Sequence, residues 1–123
     1  MKKVYFKIGR CAVLLSVSVL PRAYGADATH GEAVFKACAA CHNDKSGALG
    51  PSLKGVYGRK AGALEDFRYS AAMKRTDLVW DESNLKEYIT NPQAKVKGNR
   101  MPFSGLQNPS DIDDVVAYLE TLK

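Results

Sequence analysis

Cys38-Ala39-Ala40-Cys41-His42 places two thiols and an imidazole side by side in the chain. Two cysteines separated by two residues can each form a thioether with a vinyl group of one porphyrin. The imidazole that follows can reach the iron from the same side. C-x-x-C-H is therefore the spacing of a c-type haem attachment site. A group held this way handles single electrons at a potential set by the second axial ligand, hydrogen bonding and burial. The same cysteine pair also suits half of a zinc site or a redox dithiol. Zinc needs two further nitrogen or sulfur ligands, and only Cys11 and His30 remain to supply them. A thioredoxin-like dithiol needs a surrounding βαβ pattern, which the sequence lacks. Haem is the reading that the rest of the chain supports.

His42 fills one axial position. The second has three candidates: His30, Met73 and Met101. His30 lies about three helical turns before His42 and reads as a solvated surface histidine. Met73 sits in the apolar stretch Ser70-Ala71-Ala72-Met73 and suits packing. Met101 stands in the irregular segment Gly98 to Phe103, which can wrap round the far face of a planar cofactor. Spacing favours Met101 and leaves the others open. A His/Met pair raises the reduction potential.

The elements that must position these groups are helical. Thr29-His30-Gly31-Glu32 has the form of a capping box, and the apolar spacing after it predicts a helix from about Thr29 to Ala40. The thiols then sit at its C-terminal end. Residues 43–64 read as loop. Tyr69 to Arg75 suits a short helix. Asp81 can cap a helix running to about Thr90, which Asn91-Pro92 stops. Residues 93–107 read as irregular. Asn108 caps the last helix, with Pro109 at its first position and Asp111 in its first turn. Ile112, Val115, Val116, Leu119 and Leu122 form its apolar stripe. No segment alternates with period two, so the class is all-α.

Residues 1–25 read as a cleaved secretory signal peptide, and 26–123 as one haem domain. Lys2, Lys3, Lys7 and Arg10 precede the apolar run Cys11 to Leu20, and Ala23-Tyr24-Gly25 offers small residues for cleavage. The run is shorter than the ~20 residues that span a bilayer. Export agrees with the motif, because haem attachment needs reduced thiols on the oxidising side of a membrane. The formal net charge of +5 comes from Lys2, Lys3, Lys7, Arg10 and Arg22, all in this leader. The remainder is neutral, which gives no basis for binding nucleic acid.

With these motifs in order, the chain resembles the class I cytochromes c, in the branch of mitochondrial cytochrome c and its bacterial periplasmic relatives. The resemblance covers nearly all of residues 27–123. It implies a small all-α fold of three main helices, with short helices and loops wrapped around one haem c. Gly31 and Phe35 match the family's first-helix contact residues, and Tyr118 their aromatic partner on the last helix. Cys38, Cys41 and His42 match the attachment site and proximal ligand. Leu49-Gly50-Pro51 matches the turn whose proline carbonyl accepts a hydrogen bond from that histidine. Arg59, Tyr69 and Trp80 match residues that bond a haem propionate, and Tyr88 one whose hydroxyl approaches the methionine sulfur. Met101 matches the distal ligand, and Phe103 the aromatic that shields the haem edge.

Some positions depart from that pattern. Met73 replaces an asparagine, implying a drier pocket floor. Asn99 replaces a threonine that bonds the second propionate, and its amide is expected to donate there. Gln93, Ala94 and Arg100 replace three edge lysines. Lys45, Lys54, Lys95, Lys97 and Arg100 are left to form a weaker basic face, opposed by Asp111, Asp113, Asp114 and Glu120 on the last helix. Members of the family can exchange the methionine for a lysine at high pH; here any such exchange is expected to use Lys95 or Lys97, or to need an unusually high pH.

The resemblance implies a soluble, monomeric, periplasmic one-electron carrier rather than an enzyme. Its donor would be a quinol-oxidising complex or periplasmic dehydrogenase, its acceptor a terminal oxidase, peroxidase or reductase. Docking at the haem edge would be transient. The alternatives are a dedicated haem subunit of one dehydrogenase complex, or a haem peroxidase or small-ligand sensor with an open distal position.

Overall fold

Asp27 starts the first helix. Its carboxylate accepts the N–H groups of Thr29 at 2.9 Å and His30 at 3.3 Å, and α1 runs over Ala28–Ala39. The expected capping box at Thr29 is thus displaced by two residues. The backbone N–H of Asp27 donates to Asp114 Oδ1 at 2.7 Å, so a contact across the fold selects the cap. The computed structural model describes residues 25–123, and the leader expected at 1–25 lies outside them apart from Gly25.

The remaining helices follow local signals closely. Ser70 caps the short α2, Ala71–Arg75, through its hydroxyl to the Met73 N–H. Asp81 caps α3, Glu82–Thr90. Asn108 caps α5, Pro109–Thr121, with Pro109 at its first position. One helix falls in the segment expected to be irregular: α4, Pro92–Lys95. Asn91 caps it through the Ala94 N–H at 3.1 Å, and Pro92 is already shaped for a first helical position. The dipeptide that ends α3 therefore also begins α4. Among the described residues there are no strands, only one isolated bridge between Lys60 and Val79. The all-α class holds.

Helices α1 and α5 cross at Gly31. A Cβ there would overlap the Asp114 carbonyl oxygen, lie 2.5 Å from its carbon and 3.0 Å from Tyr118 Cβ. Phe35 and Tyr118 tilt against each other beside this point, with centroids 5.1 Å apart. The α5 stripe is buried at Ile112, Val115, Val116 and Leu119, with Val115 wholly enclosed. Each such side chain contributes about 1.5–3 kcal/mol relative to exposure. His30 lies exposed at the surface, as expected, and is also paired. Its Nδ1 bonds Asp114 Oδ2 at 2.8 Å, and Asp111 lies 3.9 Å from its Nε2. Asp114 itself is buried, so one member of the expected acidic face is a tertiary anchor.

Candidate functional site

The last turn of α1 tightens as it ends: Cys41 and His42 both direct their N–H groups to the Cys38 carbonyl, at 3.1 and 2.9 Å. This turn sets Cys38, Cys41 and His42 along the wall of one cavity of about 560 Å³. Cys38 and Cys41 are not joined in a disulfide, so both side chains are available to the cavity. The walls are mostly apolar, contributed by Leu53, Phe67, Met73, Leu85 and Val115 among others.

His42 is fixed from two sides. The Pro51 carbonyl can only accept, so His42 Nδ1 carries the proton and donates across 2.7 Å. That leaves Nε2 as the ring nitrogen able to present a lone pair to a metal. Gly50 lies against the ring; a Cβ there would sit 2.5 Å from Cε1, 2.6 Å from Nδ1 and 2.9 Å from Nε2. Gly50 in turn donates its N–H to the Cys41 carbonyl at 3.0 Å, closing the loop back onto the thiols.

The other expected residues line the same cavity: Pro51, Arg59, Tyr69, Trp80, Tyr88, Asn99, Met101 and Phe103. The Arg59 guanidinium donates to the Ser52 and Lys54 carbonyls at 2.8 and 2.9 Å. Its backbone carbonyl accepts the Trp80 N–H, so the loop at Lys60–Val79 positions both together. Trp80 packs on Tyr88 with centroids 4.9 Å apart, and burial pushes the Tyr88 phenol up to about 12. Tyr69 meets the edge of Phe67, and burial raises its phenol as well.

Asn99 corrects an expectation. Its side-chain amide donates to the Pro92 and Val96 carbonyls, each at 2.9 Å. Both hydrogens are engaged, so the amide has none left for a propionate. Its Oδ1 instead accepts the N–H of Met101 at 2.9 Å. The basic face is also weaker than its residue count. Lys54 pairs with Asp44 at 3.2 Å and Lys95 with Glu87 at 2.6 Å, while Arg100 donates to the Arg68 carbonyl.

Sequence reasoning missed Phe67 and Leu53, which line the cavity but carry no motif. Leu49, 79% exposed, lies at the cavity wall beside Gly50. Two thiols, an imidazole with a free Nε2 and a thioether, within apolar walls and with an arginine, fit a haem. Zinc does not fit: among the described residues no three His, Cys, Asp or Glu side chains are grouped to share a metal ion.

The cytochrome c family model matches residues 28–123. Cytochrome c2 of Rhodoblastus acidophilus is 52% identical over 100 residues, covering 79% of this chain and 94% of that protein. Cytochrome c2 of Rhodomicrobium vannielii is 44% identical over 126 aligned residues, covering 98% of this chain and 97% of that protein. Among solved structures, cytochrome cH from Methylobacterium extorquens superposes with a TM-score of 0.74 at 43% identity, covering 78% of this chain and 99% of that one.

Proposed function

The chain belongs to the cytochrome c family, and from that premise we propose a part for each residue of the cavity. It is an electron carrier, not an enzyme, and holds haem c through Cys38 and Cys41. The haem supplies one-electron exchange between Fe(III) and Fe(II).

The protein's own groups set the conditions. His42 presents Nε2 as the proximal ligand, and its bond to the Pro51 carbonyl fixes the ring and makes it a better donor. Met101 provides the distal sulfur, a soft ligand that favours the ferrous state and raises the potential. Arg59, Tyr69 and Trp80 receive a propionate, and Tyr88 faces the methionine sulfur. Phe103 and the apolar walls keep water from the iron. His42 and Met101 would together hold the iron in either oxidation state, so little of the chain need move when the charge changes.

The observation that carries this reading is the single apolar cavity shared by Cys38, Cys41, His42 and Met101. Potentiometric titration of the exported protein tests it. One reversible one-electron wave is expected, with haem that survives denaturing electrophoresis and is lost in Cys38→Ser, Cys41→Ser. Non-covalent haem in the native protein would contradict it.

Residues 1–25 serve as a signal peptide, delivering residues 26–123 to the periplasm as a monomer. No helix among the described residues is long and apolar enough to cross a membrane. The partners are redox proteins: a quinol-oxidising complex or dehydrogenase gives the electron, and an oxidase, peroxidase or reductase takes it. A second reading, a dedicated subunit of one dehydrogenase complex, draws on the ion pairs that occupy Lys54 and Lys95 and thin the basic edge. Co-purification with a dehydrogenase at high salt separates it from a free shuttle.

A further inference from the structure

Two side-chain amides sew the Met101 segment to the helix before it. Asn99 is buried, and its donors reach the Pro92 and Val96 carbonyls while its oxygen accepts the Met101 N–H. Gln93, on α4, donates to the Asn99 carbonyl at 2.9 Å and accepts the Gly98 N–H at 3.2 Å. The α4 turn is itself anchored. Pro92 is fully buried, and Lys95 is held by Glu87 of α3 at 2.6 Å. A continuous run of hydrogen bonds therefore joins α4 to the backbone of Met101.

We propose that Asn99 and Gln93 are positioning residues that clamp the Met101 loop and so control how readily the methionine sulfur leaves the iron. The proposal rests on Met101 being the distal ligand. A methionine is flexible and its loop has no repeating backbone ladder, so its retention depends on what holds the loop. Opening this loop breaks five side-chain bonds, three of them to a buried amide whose groups would lose their partners.

The residue types are specific to the task. A hydroxyl at position 99 has one hydrogen and cannot bridge two carbonyls; a lysine at position 93 has no acceptor for the Gly98 N–H. These are two of the positions where the chain departs from the mitochondrial pattern. The departures coincide with the clamp.

Imidazole binding to the ferric holoprotein tests the clamp, because imidazole must displace the sulfur. The readout is loss of the long-wavelength absorption band that reports methionine sulfur on ferric iron, with denaturant unfolding measured in parallel. Gln93 is exposed, so Gln93→Ala should fold, with a loss of unfolding stability no larger than its effect on imidazole binding; Gly31→Ala, strained at the α1–α5 crossing away from the loop, should leave the imidazole affinity unchanged. Gln93→Ala should raise the apparent imidazole affinity roughly three- to tenfold, the effect of one or two lost hydrogen bonds. Asn99→Ala should raise it further, and Asn99→Asp, which keeps an acceptor for Met101, should fall between. Unchanged imidazole affinity in folded Gln93→Ala and Asn99→Ala would overturn the clamp. So would an equal rise in imidazole affinity in Gly31→Ala, which would trace the effect to global destabilisation rather than to the loop. A wild-type protein without the band would overturn the ligand assignment itself, a separate result.

Discussion

Gly50→Ala gives the sharpest steric test of the site. The added Cβ would lie 2.5 Å from His42 Cε1, whereas ordinary contact begins at 3.4 Å, so the ring must retreat by about 0.9 Å. Retreat moves Nδ1 off its 2.7 Å contact with the Pro51 carbonyl and weakens or breaks that bond. Gly50 has little room to yield instead, because its N–H is bonded to the Cys41 carbonyl at 3.0 Å. Overpacking costs about 1–3 kcal/mol and the lost hydrogen bond about 1 kcal/mol. The expected total is about 2–4 kcal/mol, or roughly 10–25 °C in melting temperature for a domain of this size. The imidazole also loses the acceptor that makes it a better donor, so the ferric state is less favoured and the reduction potential rises. Thermal unfolding followed by circular dichroism and potentiometry of the holoprotein read the two effects separately. A Gly50→Ala protein with wild-type melting temperature and potential would refute the reasoning.

Three further outcomes follow from the structure. Gly31→Ala should destabilise the holoprotein by about 2 kcal/mol in guanidinium titration, because the clash with the Asp114 carbonyl outweighs the ~1 kcal/mol helix-propensity gain; equal or greater stability would show that the α1–α5 crossing can relax. The bond to Asp114, with Asp111 and Asp27 nearby, raises His30 above its ordinary 6.5, and Asp114 lies below its ordinary 3.8, held there by the Asp27 N–H and then by His30. The His30 contribution is full below pH 6.5 and disappears as pH rises through its folded value, whereas that of Asp114 disappears as pH falls through its own. The stability difference between wild type and His30→Ala should therefore peak between those limits, near pH 5, and a flat difference from pH 4 to 9 would count against the pair. At alkaline pH, Lys97 should replace Met101 before Lys95 does, since Lys95 is tied to Glu87 and holds that carboxyl below its usual range. Lys97→Ala should raise the transition pH and Lys95→Ala should not; a lysine-ligated form surviving in the double variant would disprove this.

Much of the fold was legible because its signals are local. The thiols and imidazole are adjacent in the chain, and Asp81, Asn108 and Pro109 announce their helices within one turn. Features set across the fold were not. Asp27 rather than Thr29 caps α1 because Asp114, 87 residues away, holds its N–H. His30 is exposed as expected, but its pairing was hidden for the same reason, since its partner lies on α5. The role of Asn99 was hidden by α4, whose carbonyls are in place only once Asn91-Pro92 is recognised as a helix start as well as a stop. Phe67 and Leu53 line the cavity from loops, where no periodicity marks an inward face.

The central claim is that His42 and Met101 together hold the iron of a carrier closed to outside ligands. Absorption spectroscopy of the exported protein, oxidised and dithionite-reduced, with carbon monoxide added to the reduced form, tests it most directly. Sharp reduced c-type bands, the long-wavelength methionine band in the ferric protein, its loss in Met101→Ala, and no carbon monoxide shift in wild type are expected. A c-type haem without that band, binding carbon monoxide readily, would contradict the account and open the distal site to catalysis or sensing.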